Sequence, residues 1–128
     1  MNFKFLLAFV AASTVASLSV AQPRIVERTA TAKAGQPTQI GIFGRVKPDC
    51  TSGPVVIRVI DQPDHGKMSE RSAKLKTDKI ARCPPIETSV AVIFYQSNAG
   101  FLGRDELIIE AETDTGQIER YHYKIDVE

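Results

Sequence analysis

The sequence predicts an all-β domain, a β-sandwich of about seven antiparallel strands with Greek-key links, and three observations support this fold class. Apolar and polar residues alternate with a period of two through most of residues 22–128, as they do in half-buried strands. No stretch carries an apolar stripe with the period of a helix. The alternating runs recur about every ten residues between Gly, Pro and Asn, a spacing typical of sandwiches. A closed barrel is the alternative.

Six long runs and one short run predict the strands. In chain order they are residues 24–34, 36–46, 54–63, 67–69, 89–96, 105–113 and 117–128. The run at 89–96 is apolar on both faces, which is typical of a central strand. The last run is the clearest, because Tyr121, Tyr123 and Ile125 alternate with charged or polar residues. We expect residues 72–82 to be the mobile segment.

The first 21 residues have the pattern of a cleaved signal peptide. Lys4 precedes an apolar run from Phe5 to Ala12, and small residues follow up to Ala21. The run is too short for a membrane span. We therefore expect a secreted or periplasmic domain in residues 22–128, without an integral membrane span in its mature form. That domain has equal numbers of acidic and basic residues, because Lys4 is the only charged residue removed; this balance disfavours nucleic-acid binding.

Cys50 and Cys83 are the only cysteines. An oxidising compartment favours their pairing. Closing a loop of about 33 residues would stabilise the domain by roughly 3 to 4 kcal/mol. The alternative, a catalytic or metal-binding thiol, needs a neighbouring base or a close Cys/His set that the sequence does not display.

Two stretches resemble a known family. "VIDQPDHGKMS", followed by "VAVIFYQSNAGFLGRDELIIEAET" and a closing alternating strand, resembles the immunoglobulin-like or cadherin-like repeats of large bacterial surface proteins. Those repeats carry a Pro-x-His-Gly turn and then a Tyr-x-Pro-Asn-x-Gly-Phe-x-Gly-x-Asp stretch. The matching positions here are Pro63, His65, Gly66, Tyr95, Asn98, Gly100, Phe101, Gly103 and Asp105. The resemblance implies an immunoglobulin-like sandwich, here as a single secreted copy.

The chain also departs from the repeats. Gln96 and Ser97 replace the usual middle of the Tyr-x-Pro-Asn stretch, and "ELIIE" replaces the usual Phe-x-Tyr pattern after the Asp. Some repeats bind calcium between consecutive domains, and a single copy has no neighbour to complete such a site. We therefore predict no calcium site and no other cofactor.

Catalytic and metal-binding motifs are weak in this sequence. It has no Gly-x-Ser-x-Gly elbow, no His-Glu-x-x-His and no phosphate loop. Its two histidines are His65, in the "PDHGK" turn, and His122, on the polar face of the last strand. Asp61, Asp64, His65 and Met68 share one turn, but the two carboxylates more readily bond turn amides than a metal ion. We predict a protein without catalytic residues and leave a metal at His65 and Met68 as an open alternative.

A basic segment offers the best functional hypothesis. Between residues 67 and 82 the basic residues are Lys67, Arg71, Lys74, Lys76, Lys79 and Arg82. They could contact an anionic envelope polymer or an acidic envelope protein. The alternative is a solvated hairpin whose lysines prevent edge-to-edge pairing of sheets.

The stretch "YQSNAGFLGRDEL" is interpreted as a structural corner. Asn98 and Gly100 would allow the backbone angles of the tip. Phe101 would fold back to plug the end of the sandwich, and Gly103 would then clear space. Asp105 would accept hydrogen bonds from loop amides.

These observations predict a non-catalytic, monomeric binding module of the bacterial cell envelope. One alternative is an envelope assembly or accessory protein that acts by edge-strand addition. A metal-binding or hydrolytic protein is the other.

Overall fold

The structure, a computed structural model, describes residues 11–128, and every regular element in that range is a strand. The strands are β1 (Arg24–Ala32), β2 (Thr38–Val46), β3 (Ser52–Gly53), β4 (Val55–Asp61), β5 (Gly66–Thr77), β6 (Ile86–Ser97), β7 (Gly103–Thr113) and β8 (Ile118–Val127). The prediction of an all-β fold is therefore confirmed.

Residues 11–22 contribute no strand to the sandwich. Most of the apolar run of the predicted signal peptide lies in residues 1–10, outside the described residues. Residues 11–22 are exposed and lack regular structure. Residues 11–128 contain no helix long and apolar enough to cross a membrane.

The strands form two four-stranded sheets in a sandwich-like arrangement. The β8 sheet has the order β1-β8-β7-β4, and the β6 sheet has the order β3-β2-β6-β5. The prediction of a wholly antiparallel arrangement is wrong at β1, which pairs in parallel with β8. A strand shows the same period-two alternation in parallel and in antiparallel pairing, so the sequence gives no sign of which one β1 adopts.

The core lies between β6 of one sheet and β7 and β8 of the other. Its largest fully buried side chains are Ile93, Tyr95, Leu107, Ile109 and Ile125. Each comes from the apolar face of a strand, because alternate side chains of a strand point to one side. The alternation in the last two predicted strands therefore identified the core correctly.

The prediction of a short strand at 67–69 is wrong, and residues 72–77 of the segment predicted to be mobile belong to the same strand. β5 runs for 12 residues and pairs with β6 from Gly66, opposite Ser97, to Thr77, opposite Ile86. Its residues from Ser69 to Lys76 are exposed, so no face is buried and no alternation marks the strand. Backbone pairing with the long β6 extends β5 where local β-propensity is low.

The predicted disulfide is confirmed. Cys50 and Cys83 are bonded, with their Cα atoms 5.7 Å apart. Cys50 follows β2, and Cys83 lies in the loop between β5 and β6. The bond therefore ties two neighbouring loops of the β6 sheet together.

Candidate functional site

The structure divides the predicted basic segment into two groups. Lys67, Arg71, Lys74 and Lys76 lie on β5, whereas Lys79 and Arg82 lie in the loop from 78 to 85. β5 is the edge strand of the β6 sheet and has one neighbour among the described strands. Part of the segment thus forms a basic sheet edge instead of a hairpin tip.

The four β5 cations point to both faces of the sheet. Met68 pairs with Tyr95 and packs against the core, so even-numbered positions of β5 face inward. Lys74 and Lys76 share that side, whereas Lys67 and Arg71 point to the outer face. Positive charge therefore surrounds the free edge of the strand.

Two of these cations have local partners. The Arg71 guanidinium lies 5.3 Å from the centroid of the Phe94 ring, and Lys74 Nζ lies 3.6 Å from Glu87 Oε1. Exposed ion pairs contribute only about 0 to 1 kcal/mol, and exposed cation–π contacts about 0.5 to 1 kcal/mol. Both side chains can accordingly exchange these contacts for those of a binding partner.

Arg82, an exposed residue, also makes contacts within the fold. Its Nη1 donates to the carbonyl of Lys47 at 3.0 Å, and its Nη2 donates to the carbonyl of Val46 at 2.9 Å. Nη1 also lies 3.2 Å from Cys83 Sγ. The guanidinium therefore ties the end of β2 to the disulfide through its two terminal nitrogens.

The outer face of the β6 sheet carries an apolar patch beside the basic edge. Ile42 and Leu75 are 47% and 44% exposed, and they flank the better buried Val90. With Ile80 of the tethered loop they line a shallow cavity of about 380 Å³. The basic edge and the apolar patch therefore adjoin on the same sheet.

Asp105 organises the corner between the two sheets. This carboxylate is 3% exposed and accepts four hydrogen bonds. Its Oδ1 accepts the amides of Asp64 and Glu106, both at 3.0 Å. Its Oδ2 accepts the amide of His65 at 3.1 Å and the hydroxyl of Tyr95 at 2.7 Å. The carboxylate thus links the loop before β5 to β6 and β7.

The other corner residues act partly as expected. Gly100 and Gly103 have φ angles of 81° and 128°, which side chains other than glycine rarely adopt. Asn98 keeps an ordinary negative φ, and its backbone N–H donates to the carbonyl of His65 at 2.7 Å. A Cβ at Gly103 would lie 3.7 Å from the Phe101 ring. Gly103 therefore supplies a backbone angle instead of space.

The possible metal ligands of the "PDHGK" turn do not converge. The His65 ring stacks on Phe101 with centroids 4.1 Å apart, and Met68 packs against the core. Among residues 11–128, no group of three or more His, Cys, Asp or Glu side chains is placed to hold an ion.

His122 lies between two carboxylates on the outer face of the β8 sheet. Its Nδ1 is 3.1 Å from Glu27 Oε2, and its Nε2 is 3.4 Å from Glu106 Oε2. A serine, threonine or cysteine nucleophile activated by a histidine needs its hydroxyl or thiol beside the ring. The contacts of His122 are instead those of a charged ladder that continues with the Arg120–Glu110 pair at 2.7 Å.

A cavity between the sheets was missed in the sequence. This inter-sheet cleft has a volume of about 390 Å³, and its lining includes Arg28, Gly41, Phe43, Glu119, Tyr121 and Tyr123. One signal was readable: Arg28 falls on the same face of β1 as Val26, Ala30 and Ala32, because all four pair with inward-facing residues of β8. Arg24 shares this face through its pairing with Glu119, and both arginines are exposed, so the face carries charge along the edge strand.

The two cleft tyrosines differ in their hydrogen bonds. Tyr121 donates its hydroxyl to Glu119 Oε2 at 2.6 Å, and burial together with this carboxylate raises the pKa of Tyr121 to about 12. Burial also raises the pKa of Tyr123, whose hydroxyl bonds to no side chain of the described residues. Both hydroxyls are therefore protonated donors at neutral pH.

Comparison with protein-family models found no match, and a search of curated proteins found none either.

Proposed function

We propose that the protein is a secreted or periplasmic, non-catalytic binding module of the bacterial cell envelope that binds an acidic, extended protein segment along the free edge of β5. The observation that carries this proposal is the placement of four cations on one long, exposed edge strand. An anionic envelope polymer is the second candidate ligand.

The free edge of β5 offers backbone hydrogen bonds. In an edge strand, alternate N–H and C=O groups point away from the neighbouring strand and are available for another chain. β5 presents such groups over 12 residues, and Ser69–Lys76 are exposed. Strand addition uses these groups for affinity and the flanking side chains for specificity. A protein segment uses both, whereas a polysaccharide or a lipid phosphate uses only the charge.

Charge selects the kind of strand that can pair. Like charges directly opposite each other destabilise paired strands, whereas opposite charges stabilise them. Lys67, Arg71, Lys74 and Lys76 outnumber Glu70 on β5. The positive charge of β5 would repel a second copy of β5 and attract an acidic strand. The same charge therefore both binds an acidic partner and excludes basic strands.

The strand arrangement supports kinship with immunoglobulin-like domains. In those domains the second, fifth and fourth main strands form one sheet, and the third, sixth and seventh form the other. If the two-residue β3 is set aside, β2-β6-β5 and β4-β7-β8 follow this division. The residues of the sequence resemblance also meet at one place, the corner where Tyr95 and His65 bond to Asp105.

The test is a titration of the protein of residues 22–128 with an acidic peptide of alternating Glu and Val. We expect saturable binding and protection of β5 amides from hydrogen exchange. Lys74→Glu with Lys76→Glu should weaken binding at least tenfold, whereas the matched pair Arg24→Glu with Lys33→Glu, at exposed positions away from β5, should not.

A second arm separates strand addition from charge alone. A peptide with an N-methylated backbone keeps its carboxylates and loses its backbone N–H donors, so it should bind much more weakly than the unmethylated peptide. Equal binding of the methylated peptide, or tighter binding of a polyanion, would favour the polymer. Binding that survives the Lys74 and Lys76 reversal would refute the site. Export is tested separately: the mature protein should begin at Gln22.

A further inference from the structure

We propose that the inter-sheet cleft is a second binding site, which takes a small organic acid with an apolar tail and holds its carboxylate at Arg28 and Tyr123. The site lies between the two sheets at the β1 edge and does not depend on the β5 proposal.

The cleft has the size of a small ligand site. Its volume of about 390 Å³ lies at the lower end of the range of small-molecule pockets, roughly 300 to 1,000 Å³. Its walls come from both sheets: Gly41 and Phe43 of β2 face Tyr121 and Tyr123 of β8. A ligand of about six carbon atoms would suit this space.

Gly41 keeps the cleft open. A Cβ at this position would lie 2.5 Å from Tyr123 Oη and 2.9 Å from Phe43 Cε2, closer than side-chain atoms approach one another. The missing side chain leaves the Tyr123 hydroxyl accessible from the cleft. Since this hydroxyl bonds to no side chain of the described residues, its donor is available for a ligand oxygen.

Arg28 supplies the complementary charge. Its guanidinium carbon lies 5.7 Å from the centroid of the Tyr121 ring, and its one described hydrogen bond is a long contact of 3.4 Å to the carbonyl of Glu27. A guanidinium binds carboxylates through two parallel hydrogen bonds. Arg28 and Tyr123 are paired residues on β1 and β8, so their polar groups can meet on one ligand carboxylate.

Phe43 and Tyr121 favour an apolar body and Glu119 favours a monoanion, in a lining that also includes the polar Thr113 and Gln117. Phe43 packs edge-on against Tyr121 with centroids 4.8 Å apart, which gives an aromatic wall for an alkyl chain. Glu119 carries negative charge at the same cleft, although Tyr121 donates a hydrogen bond to it. A nearby like charge disfavours a dianion such as phosphate more than a monoanion.

Hexanoate is a suitable probe, with hexanamide and inorganic phosphate as comparisons. The protein has three tyrosines and no tryptophan, so its ultraviolet difference spectrum reports a ligand at Tyr121 and Tyr123. We expect hexanoate to bind saturably, and hexanamide and phosphate to bind at least tenfold more weakly. No saturable binding of hexanoate, or equal binding of either comparison ligand, would overturn the proposal.

Variants locate the site. Arg28→Gln should weaken hexanoate binding at least tenfold, and Tyr123→Phe should weaken it several-fold, with thermal unfolding showing that each variant is folded. Arg104→Gln, an exposed arginine paired with Asp126, should bind like the unmodified protein. Hexanoate binding that is unchanged in Arg28→Gln would refute the site. The Lys74 and Lys76 reversal should leave hexanoate binding intact, so the two proposals fail independently.

Discussion

Replacement of Asp105 by alanine tests the account of the corner most directly. The carboxylate is 3% exposed and accepts three backbone amides and the Tyr95 hydroxyl. A buried donor left without a partner costs about 1 to 3 kcal/mol. The three amides belong to partly buried positions and can regain water, whereas the Tyr95 side chain is fully buried. We therefore expect Asp105→Ala to lower the free energy of unfolding by about 2 to 4 kcal/mol.

Denaturation in guanidinium chloride measures this loss. Tyr95→Phe removes one of the four bonds and should cost about 1 to 2 kcal/mol. The double variant should lose less than the sum of the two single losses, because the two groups share a bond. Asp61→Ala changes an exposed carboxylate near the same turn and should stay within about 0.5 kcal/mol of the unmodified protein.

The Asp105→Ala variant also shows whether Asp105 has a structural role or takes part in peptide binding. If the free energy of unfolding of Asp105→Ala lies within about 0.5 kcal/mol of that of the unmodified protein, Asp105 does not anchor the corner. Folded Asp105→Ala should keep the affinity of β5 for the acidic peptide, because the carboxylate is buried away from the free edge. A loss of binding in folded molecules would show that Asp105 belongs to the site.

Three further predictions concern the stability of the fold. Burial raises the pKa of Tyr95 above its ordinary 10.0, and its bond to Asp105 adds to this shift. The protonated Tyr95 therefore contributes its full stabilisation below pH 10. Above pH 10 the free energy of unfolding falls by about 1.4 kcal/mol per pH unit. Alkaline denaturation followed by tyrosinate absorbance should show this loss, and Tyr95→Phe should have a shallower dependence; identical curves would contradict it. Cys50→Ser with Cys83→Ser should lose about 3 to 4 kcal/mol in denaturant, and a loss below about 1 kcal/mol would mean that Arg82 and the strands alone hold the loops. Arg82→Lys keeps the charge but not the two-pronged donor, so trypsin should cut faster after Lys79; an unchanged rate would show that the Arg82 bonds do not restrain the loop.

Local alternation was a reliable guide wherever one face of a strand is buried. β7 and β8 were predicted to within two residues at each end, since Leu107, Ile109, Tyr123 and Ile125 mark the inward face. The same rule failed for β5, whose residues Ser69–Lys76 are exposed. A strand that buries neither face leaves no periodic signal, and only pairing with β6 reveals it.

The candidate sites show the same division. The cations of β5 were identified from composition, but the sequence could not show that Arg82 bonds to the end of β2 while Lys74 and Lys76 remain on an exposed edge. Arg28 left a faint signal as a charge beside Val26, Ala30 and Ala32 on one face of β1. Its meaning depends on Tyr123 and Gly41, which lie on other strands far away in the sequence.

The sequence by itself determined the all-β class, the apolar faces of the core strands and the cysteine pair, because each depends on residue type or on spacing along one strand. The tertiary structure decided the parallel pairing of β1 with β8, the length of β5, the bonds of Arg82 and the cleft between the sheets. These features depend on hydrogen bonds and packing between residues distant in the chain. Folding brings these residues together, and no pattern within one strand shows which distant residue each of them will contact.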